Sequence, residues 1–141
     1  MAGERDQQQG GREPEPAIAE EDAELIREFC QEAEQHFALA ESALLTLEKA
    51  PEDREAIGVV FRAFHTLKGV ASLLGLSLIS QFAHVAESFL MPVRDGSARF
   101  DAEFAGLALE AIDMLRGLML SVAGGRIPQD APPGYANLMS R

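Results

Sequence analysis

This chain is short of the residues that mark several large functional classes. Cys30 is the only cysteine among 141 residues, so no intrachain disulfide can form. No stretch approaches the roughly 18 uninterrupted apolar residues of a membrane span. The opening run MAGERDQQQGGREPEPA is polar and acidic and has no apolar segment of the secretory-signal kind. These absences predict a protein of the reducing cytoplasm. Positive charge is scarce as well: 12 Lys and Arg stand against 23 Asp and Glu, a net charge of -11. Nucleic acid and anionic membrane surfaces are therefore not expected as partners, because phosphates attract Lys and Arg stripes that are absent here. Nor is there a Gly-rich phosphate loop or Walker pattern, so the chain cannot use ATP alone.

What remains is an ordinary globular composition, 47% hydrophobic and 25% charged, enough for one core without a disulfide or metal staple. The first 24 residues hold eight acids and two arginines, and residues 1–20 read as a disordered acidic tail. Near the other end, GGRIPQDAPPG strings helix breakers together. Residues 124–141 thus read as a linker or a weakly docked segment, with residues 135–139 apolar enough for a short fifth helix.

Between these ends no alternating strand pattern appears, but four stretches carry apolar residues at spacings of three and four. The first, about 21–49, aligns Ile26, Phe29, Ala33, Phe37, Ala40, Leu44 and Leu47. Pro51 closes it, and Asp53 can cap a second that aligns Ile57, Val60, Phe61, Phe64, Leu67, Ala71 and Leu74. After Gly75, Ser77 can cap a third, with Ile79, Phe82, Ala83, Ala86, Phe89 and Leu90 inward until Pro92 and Asp95-Gly96 end it. Asp101 caps the fourth, in which Phe104, Leu107, Ala108, Ala111, Leu115, Leu118, Met119 and Val122 align. Four such stripes bury one another as an all-α, up-down antiparallel four-helix bundle over residues 21–123.

Polar residues beside the stripes carry the functional information. At about 100° per residue, Lys68 falls about 40° and His65 about 100° from Phe64, so both sit at one edge of the second helix. Glu87 and His84 share an edge of the third. His65 lies ten residues before Gly75 and Glu87 twelve after it. In an antiparallel hairpin their heights then differ by about 3 Å, and a His-Glu hydrogen bond is geometrically open. A neutral imidazole attacks through the ring nitrogen that lacks the proton, and an acceptor on Nδ1-H leaves Nε2 as that nitrogen. Lys68, one of two lysines, is a cation one turn away for a transferred phosphoryl group. Gly69 costs about 1 kcal/mol in a helix interior, which suggests that a partner approaches the backbone there.

The run Phe61-Arg62-Ala63-Phe64-His65-Thr66-Leu67-Lys68-Gly69, followed by Leu73-Leu74-Gly75-Leu76 and Ala83-His84-Val85-Ala86-Glu87, resembles the histidine phosphotransfer domain at the N-terminus of chemotaxis (CheA-like) histidine kinases. The resemblance covers roughly residues 22–122. It implies that His65 is the phosphorylated histidine, Lys68 the phosphate-side lysine, Glu87 the glutamate that orients the imidazole and His84 its neighbour in that network. It implies two partners: a kinase ATP-binding domain as donor and a CheY-like response-regulator receiver domain, whose aspartate accepts the group. ATP and Mg²⁺ are expected on those partner domains, with no cofactor or metal in this chain. Arg62, Gly69 and Ser72 flank His65 as the expected docking edge. Pro92 falls where many relatives continue the third helix, and Val70 and Ser72 replace small residues common after the Lys-Gly pair.

Two other classes compete. His65, His84 and Glu87 are a possible metal-ligand set, although the first and fourth helices offer no Glu-x-x-His to complete a di-metal bundle. A non-catalytic four-helix adaptor would leave the same residues incidental. His36 has no partner in register and reads as plain packing or exposure.

Overall fold

The computed structural model describes residues 17–128. Residues 1–16 of the expected tail, and the fifth helix considered over residues 135–139, lie outside the described residues. A 3₁₀ turn at Glu20–Asp22 leads into α1 (Ala23–Lys49), followed by α2 (Arg54–Leu73), α3 (Ser77–Asp95) and α4 (Ala102–Ala123). Each helix packs on its sequence neighbours and α4 returns to α1, so the four close as the expected up-down bundle. All described apolar residues of the α1 stripe are buried, and Phe37, Phe64, Phe82, Leu67, Ile112 and Leu115 are almost fully enclosed. Leu74, Phe89 and Phe104, read as inward, are only partly buried and pack at the margin of this core. The α2 helix reaches the length and mean hydropathy of a membrane span, yet its apolar residues Val60, Phe64 and Leu67 face the bundle interior.

Local chemistry sets the helix ends. Asp53 Oδ1 accepts the Ala56 N–H at 3.1 Å and Asp101 Oδ1 the Phe104 N–H at 3.0 Å, the caps expected at α2 and α4. At the α2–α3 turn Gly75 takes φ +75°, a left-handed conformation that glycine adopts without a Cβ penalty. The Leu76 N–H then reaches Ala71 O at 2.9 Å and the Gly75 N–H reaches Ser72 O at 3.2 Å, which terminates α2 and reverses the chain. This turn fixes the register between the two helices that carry the site.

Three local expectations are corrected. Ser77 is not a cap: Leu76 holds that position without a side-chain bond, because its own side chain is anchored in the core. Pro92 does not end α3, which runs on to Asp95. A proline removes only one helical N–H donor, and here it lies on the exposed side, one turn before Gly96 ends the helix with φ +85°. Residues 17–20 do not belong to a free tail. Ala17 pairs with Arg126 in an isolated antiparallel bridge, and the Ile18 N–H donates to Gly125 O at 2.9 Å. Ile18 and Ile127 pack on the core beneath this strap.

Arg116 of α4 joins the outer helices. Its guanidinium forks onto Glu41 at 2.6 and 3.0 Å and onto Glu34 at 2.8 and 3.3 Å, two acids seven residues apart on α1. Its hydrogen bonds to Glu41 and then Glu34 push its pKa further up.

Candidate functional site

The α2–α3 hairpin brings the expected pair together. His65 Nδ1 is hydrogen bonded to Glu87 Oε2, and Lys68 Nζ donates to Glu87 Oε1 at 2.9 Å. The His65 side chain is 61% exposed while that of Glu87 is only 4% exposed. A buried acceptor thus holds one ring nitrogen, and the rest of the imidazole stands in solvent. In the neutral ring, Nδ1 donating to the carboxylate places the proton on Nδ1 and leaves the Nε2 lone pair free. Nε2 has no hydrogen-bond partner among the described residues.

Glu87 is the buried polar residue of the described core, and both of its oxygens are used. Burial alone would push its carboxyl up, but hydrogen bonds from Lys68 and His65, with their charges, outweigh that and hold it below the ordinary value of 4.5. It is therefore ionised at neutral pH, a fixed anion with two donors aimed at it. Ser80 Oγ donates to the Lys68 carbonyl at 3.1 Å, tying the α2 backbone beside the lysine to the start of α3.

His84 is more loosely placed. Its Nδ1 lies 3.7 Å from Glu87 Oε1 and its side chain is 60% exposed, within ion-pair range but beyond a hydrogen bond. Arg62, Gly69 and Ser72 are all exposed on the α2 edge that carries His65. A Cβ built at Gly69 would meet nothing within 4 Å, so no neighbour inside the bundle requires glycine there. His36 is half-buried on α1, away from this hairpin.

Two residues join the site without having been foreseen. Phe61 lies one turn before His65, and the two rings stack with centroids 6.2 Å apart and planes 14° from parallel. The Arg94 guanidinium covers Phe61 at 4.3 Å from the ring centroid, a cation–π distance. The i, i+4 spacing of Phe61 and His65 was the available signal for the stack, masked because Phe61 also belongs to the core stripe. Arg94 had no such signal, since its position depends on the α3 register and on the helix passing through Pro92.

The metal reading loses its donor set. Lys68 and His65 occupy both Glu87 oxygens, with an ammonium where a cation would have to sit. Among the described residues no group of three His, Cys, Asp or Glu side chains is arranged to hold a metal ion.

Comparison with known proteins agrees with this geometry. The family model of the Hpt domain matches residues 24–118. The chemotaxis protein CheA of Treponema pallidum is 36% identical over 102 residues, 72% of this chain but 13% of that protein. The chain thus spans about an eighth of the curated relatives it matches. Among solved structures, the phosphorylated P1 domain of CheA3 from R. sphaeroides, in complex with CheY6, is 30% identical with a TM-score of 0.76, covering 84% of this chain and 91% of that one. The CheA phosphotransferase domain from Thermotoga maritima is also 30% identical, with a TM-score of 0.67 over 71% of this chain and 95% of the other. A four-helix bundle with an exposed imidazole backed by a buried glutamate, matched across two thirds of its length by the family model, places this chain in the Hpt domain family.

Proposed function

We propose that this chain is the phosphocarrier of a chemotaxis-type signalling kinase: His65 Nε2 takes a phosphoryl group from an ATP-binding kinase domain and passes it to an aspartate of a receiver domain. One observation carries the reading. The Nδ1 position of an exposed imidazole is held by a buried, ionised glutamate, the arrangement that in the neutral ring puts the proton on Nδ1 and turns the Nε2 lone pair outward. In the loading step the Nε2 lone pair attacks the terminal phosphorus of the nucleotide, an N–P bond forms, the P–O bond breaks and the nucleotide diphosphate leaves. The ring then carries positive charge, which Glu87 stabilises through the Nδ1 proton that stays in place. Unloading runs the same way: a carboxylate oxygen of the receiver attacks phosphorus and the neutral imidazole leaves.

Lys68 contributes in two ways. One of its N–H donors holds Glu87, and its side chain is 28% exposed, so its remaining donors can meet phosphoryl oxygens. His84 acts at longer range, as a polar neighbour of Glu87. ATP and Mg²⁺ belong to the kinase domain, and the exchange takes place in the cytoplasm. Incubating the chain with a partner kinase domain and labelled ATP tests the reading. Label should appear on His65 alone, acid-labile and base-stable, and vanish in His65→Gln. Label that persists in that variant, or maps to His36 or His84, overturns it; an adaptor would keep its function without His65.

A further inference from the structure

Charge is segregated in this molecule. Residues 20–49, the lead-in turn and α1, carry nine acids and two basic residues. Residues 54–95, the α2–α3 hairpin, carry only Glu55, Glu87 and Asp95 against Arg54, Arg62, Lys68 and Arg94. Of those three acids, Glu87 is buried under Lys68 and His65, and Asp95 is paired with Arg94 at 3.0 Å. Glu55 lines a groove with Leu39 and Ser42 of α1 but stands two turns before Arg62 on the same face of α2, and Glu52 lines a pocket with Arg54. Arg54, Arg62 and Arg94 nevertheless gather along one edge of the folded chain, a clustering that the linear sequence does not display.

Its arginines are held in place. Arg54 Nη2 donates to the Arg94 carbonyl at 2.5 Å, at the C-terminal end of α3. Arg62 folds back over Gly58, where a Cβ would come 3.0 Å from its Nη1. Arg94 lies on Phe61, whose ring stacks on His65. Arg62 is about 4.5 Å and Arg54 about 16 Å along the α2 axis from His65, at about 1.5 Å per residue. No carboxylate pairs with Arg54 or Arg62 among the described residues.

We propose that Arg54, Arg62 and Arg94 form a docking strip for a carboxylate-bearing surface of the receiver domain, lying on the side of His65 away from the Gly75 turn. This rests on the phosphocarrier reading above. The receiver accepts the phosphoryl group on a carboxylate, and a chain of net charge -11 repels an acidic partner over most of its surface. The α2–α3 edge is the approach with local attraction, so the field both draws the partner in and turns it toward His65. Such steering raises the encounter rate and fades with salt, while leaving the chemistry within the complex unchanged.

The test uses the phosphorylated chain and a receiver domain, with kcat/KM of transfer measured across ionic strength. In the Arg62→Gln/Arg94→Gln double variant, kcat/KM at low salt should fall about tenfold, the low end of electrostatic steering, and its salt slope should flatten. Arg94→Lys keeps the charge without the planar stack and should keep the salt slope, separating charge from support of Phe61. Arg27→Gln and Lys49→Gln, on α1, should not reduce the rate. An unchanged salt slope in the double variant overturns the proposal. So does slower loading by the kinase domain with normal transfer to the receiver, which would assign the strip to the kinase. If the wild-type chain takes no label on His65, the phosphocarrier reading itself fails, a result separable from these.

Discussion

Glu87→Gln makes the sharpest test of how the site works, because it changes no shape and only one charge. The carboxylate accepts two hydrogen bonds, from Lys68 Nζ at 2.9 Å and from His65 Nδ1. A carboxamide has one acceptor oxygen and one NH₂ donor, so it cannot serve both. If the oxygen turns to the ammonium, the NH₂ faces Nδ1, which must then accept. The ring proton moves to Nε2, and the lone pair needed for attack is turned inward. If the oxygen turns to His65 instead, the NH₂ opposes the Lys68 ammonium, donor against donor, in a place where the side chain is 4% exposed. Either way one charge-assisted bond is lost, about 1.5–3 kcal/mol. At about 1.4 kcal/mol per tenfold, phosphorylation of His65 should slow by about 10–150-fold. Glu87→Ala removes the carboxylate without imposing the wrong tautomer, so the glutamine variant should lose at least as much activity despite its closer shape. Initial rates of acid-labile labelling, with ¹⁵N NMR of the imidazole to assign the tautomer and circular dichroism to confirm helix content, make the measurement. Wild-type rates in Glu87→Gln would refute the argument.

Gly69→Leu should stabilise the bundle by up to about 1 kcal/mol, since glycine is a poor helix former and a side chain there enters open space. The same change should slow transfer to the receiver by obstructing its approach; a thermal melt paired with transfer kinetics checks both, and unhindered transfer would move the docking edge elsewhere. Acid denaturation should report Glu87. Its folded pKa lies below the ordinary 4.5, so its contribution to stability is complete above about pH 4.5 and is lost as pH falls through the lower folded value. The stability gap between wild type and Glu87→Gln should stay constant from about pH 7 to 5 and shrink below that, measured by urea titration; a gap that grows on acidification contradicts the assignment. Arg116→Gln should cost less than about 2 kcal/mol, because its two partly exposed ion pairs are each worth about 0–1 kcal/mol. That loss should diminish in high salt, where screening already weakens the wild-type pairs.

Much of this protein follows from local rules that a sequence obeys wherever it folds. Helix periodicity placed the four stripes, and Asp53, Gly75 and Asp101 marked ends because their side chains, or the lack of one, act on the adjacent backbone. The edge shared by His65 and Lys68 follows from their spacing of three, and the height match of His65 with Glu87 follows from counting residues on either side of one turn. Local rules failed where a neighbour decided the outcome. Ser77 looked like a cap, but the buried Leu76 side chain set the helix start one residue earlier. Pro92 looked like a stop, but its missing donor falls on the exposed side and α3 continues. Glu87 read as an edge residue, yet it is 3% exposed, because α2 closes over that edge and covers it with Lys68 and His65. The stack of Arg94 on Phe61 and of Phe61 on His65 depends on that same packing. Charge shows the division most clearly. Net charge is a sum over the chain and needs no fold, but a basic edge needs Arg54, Arg62 and Arg94 brought together from positions up to 40 residues apart, and only the antiparallel pairing of α2 with α3 does so.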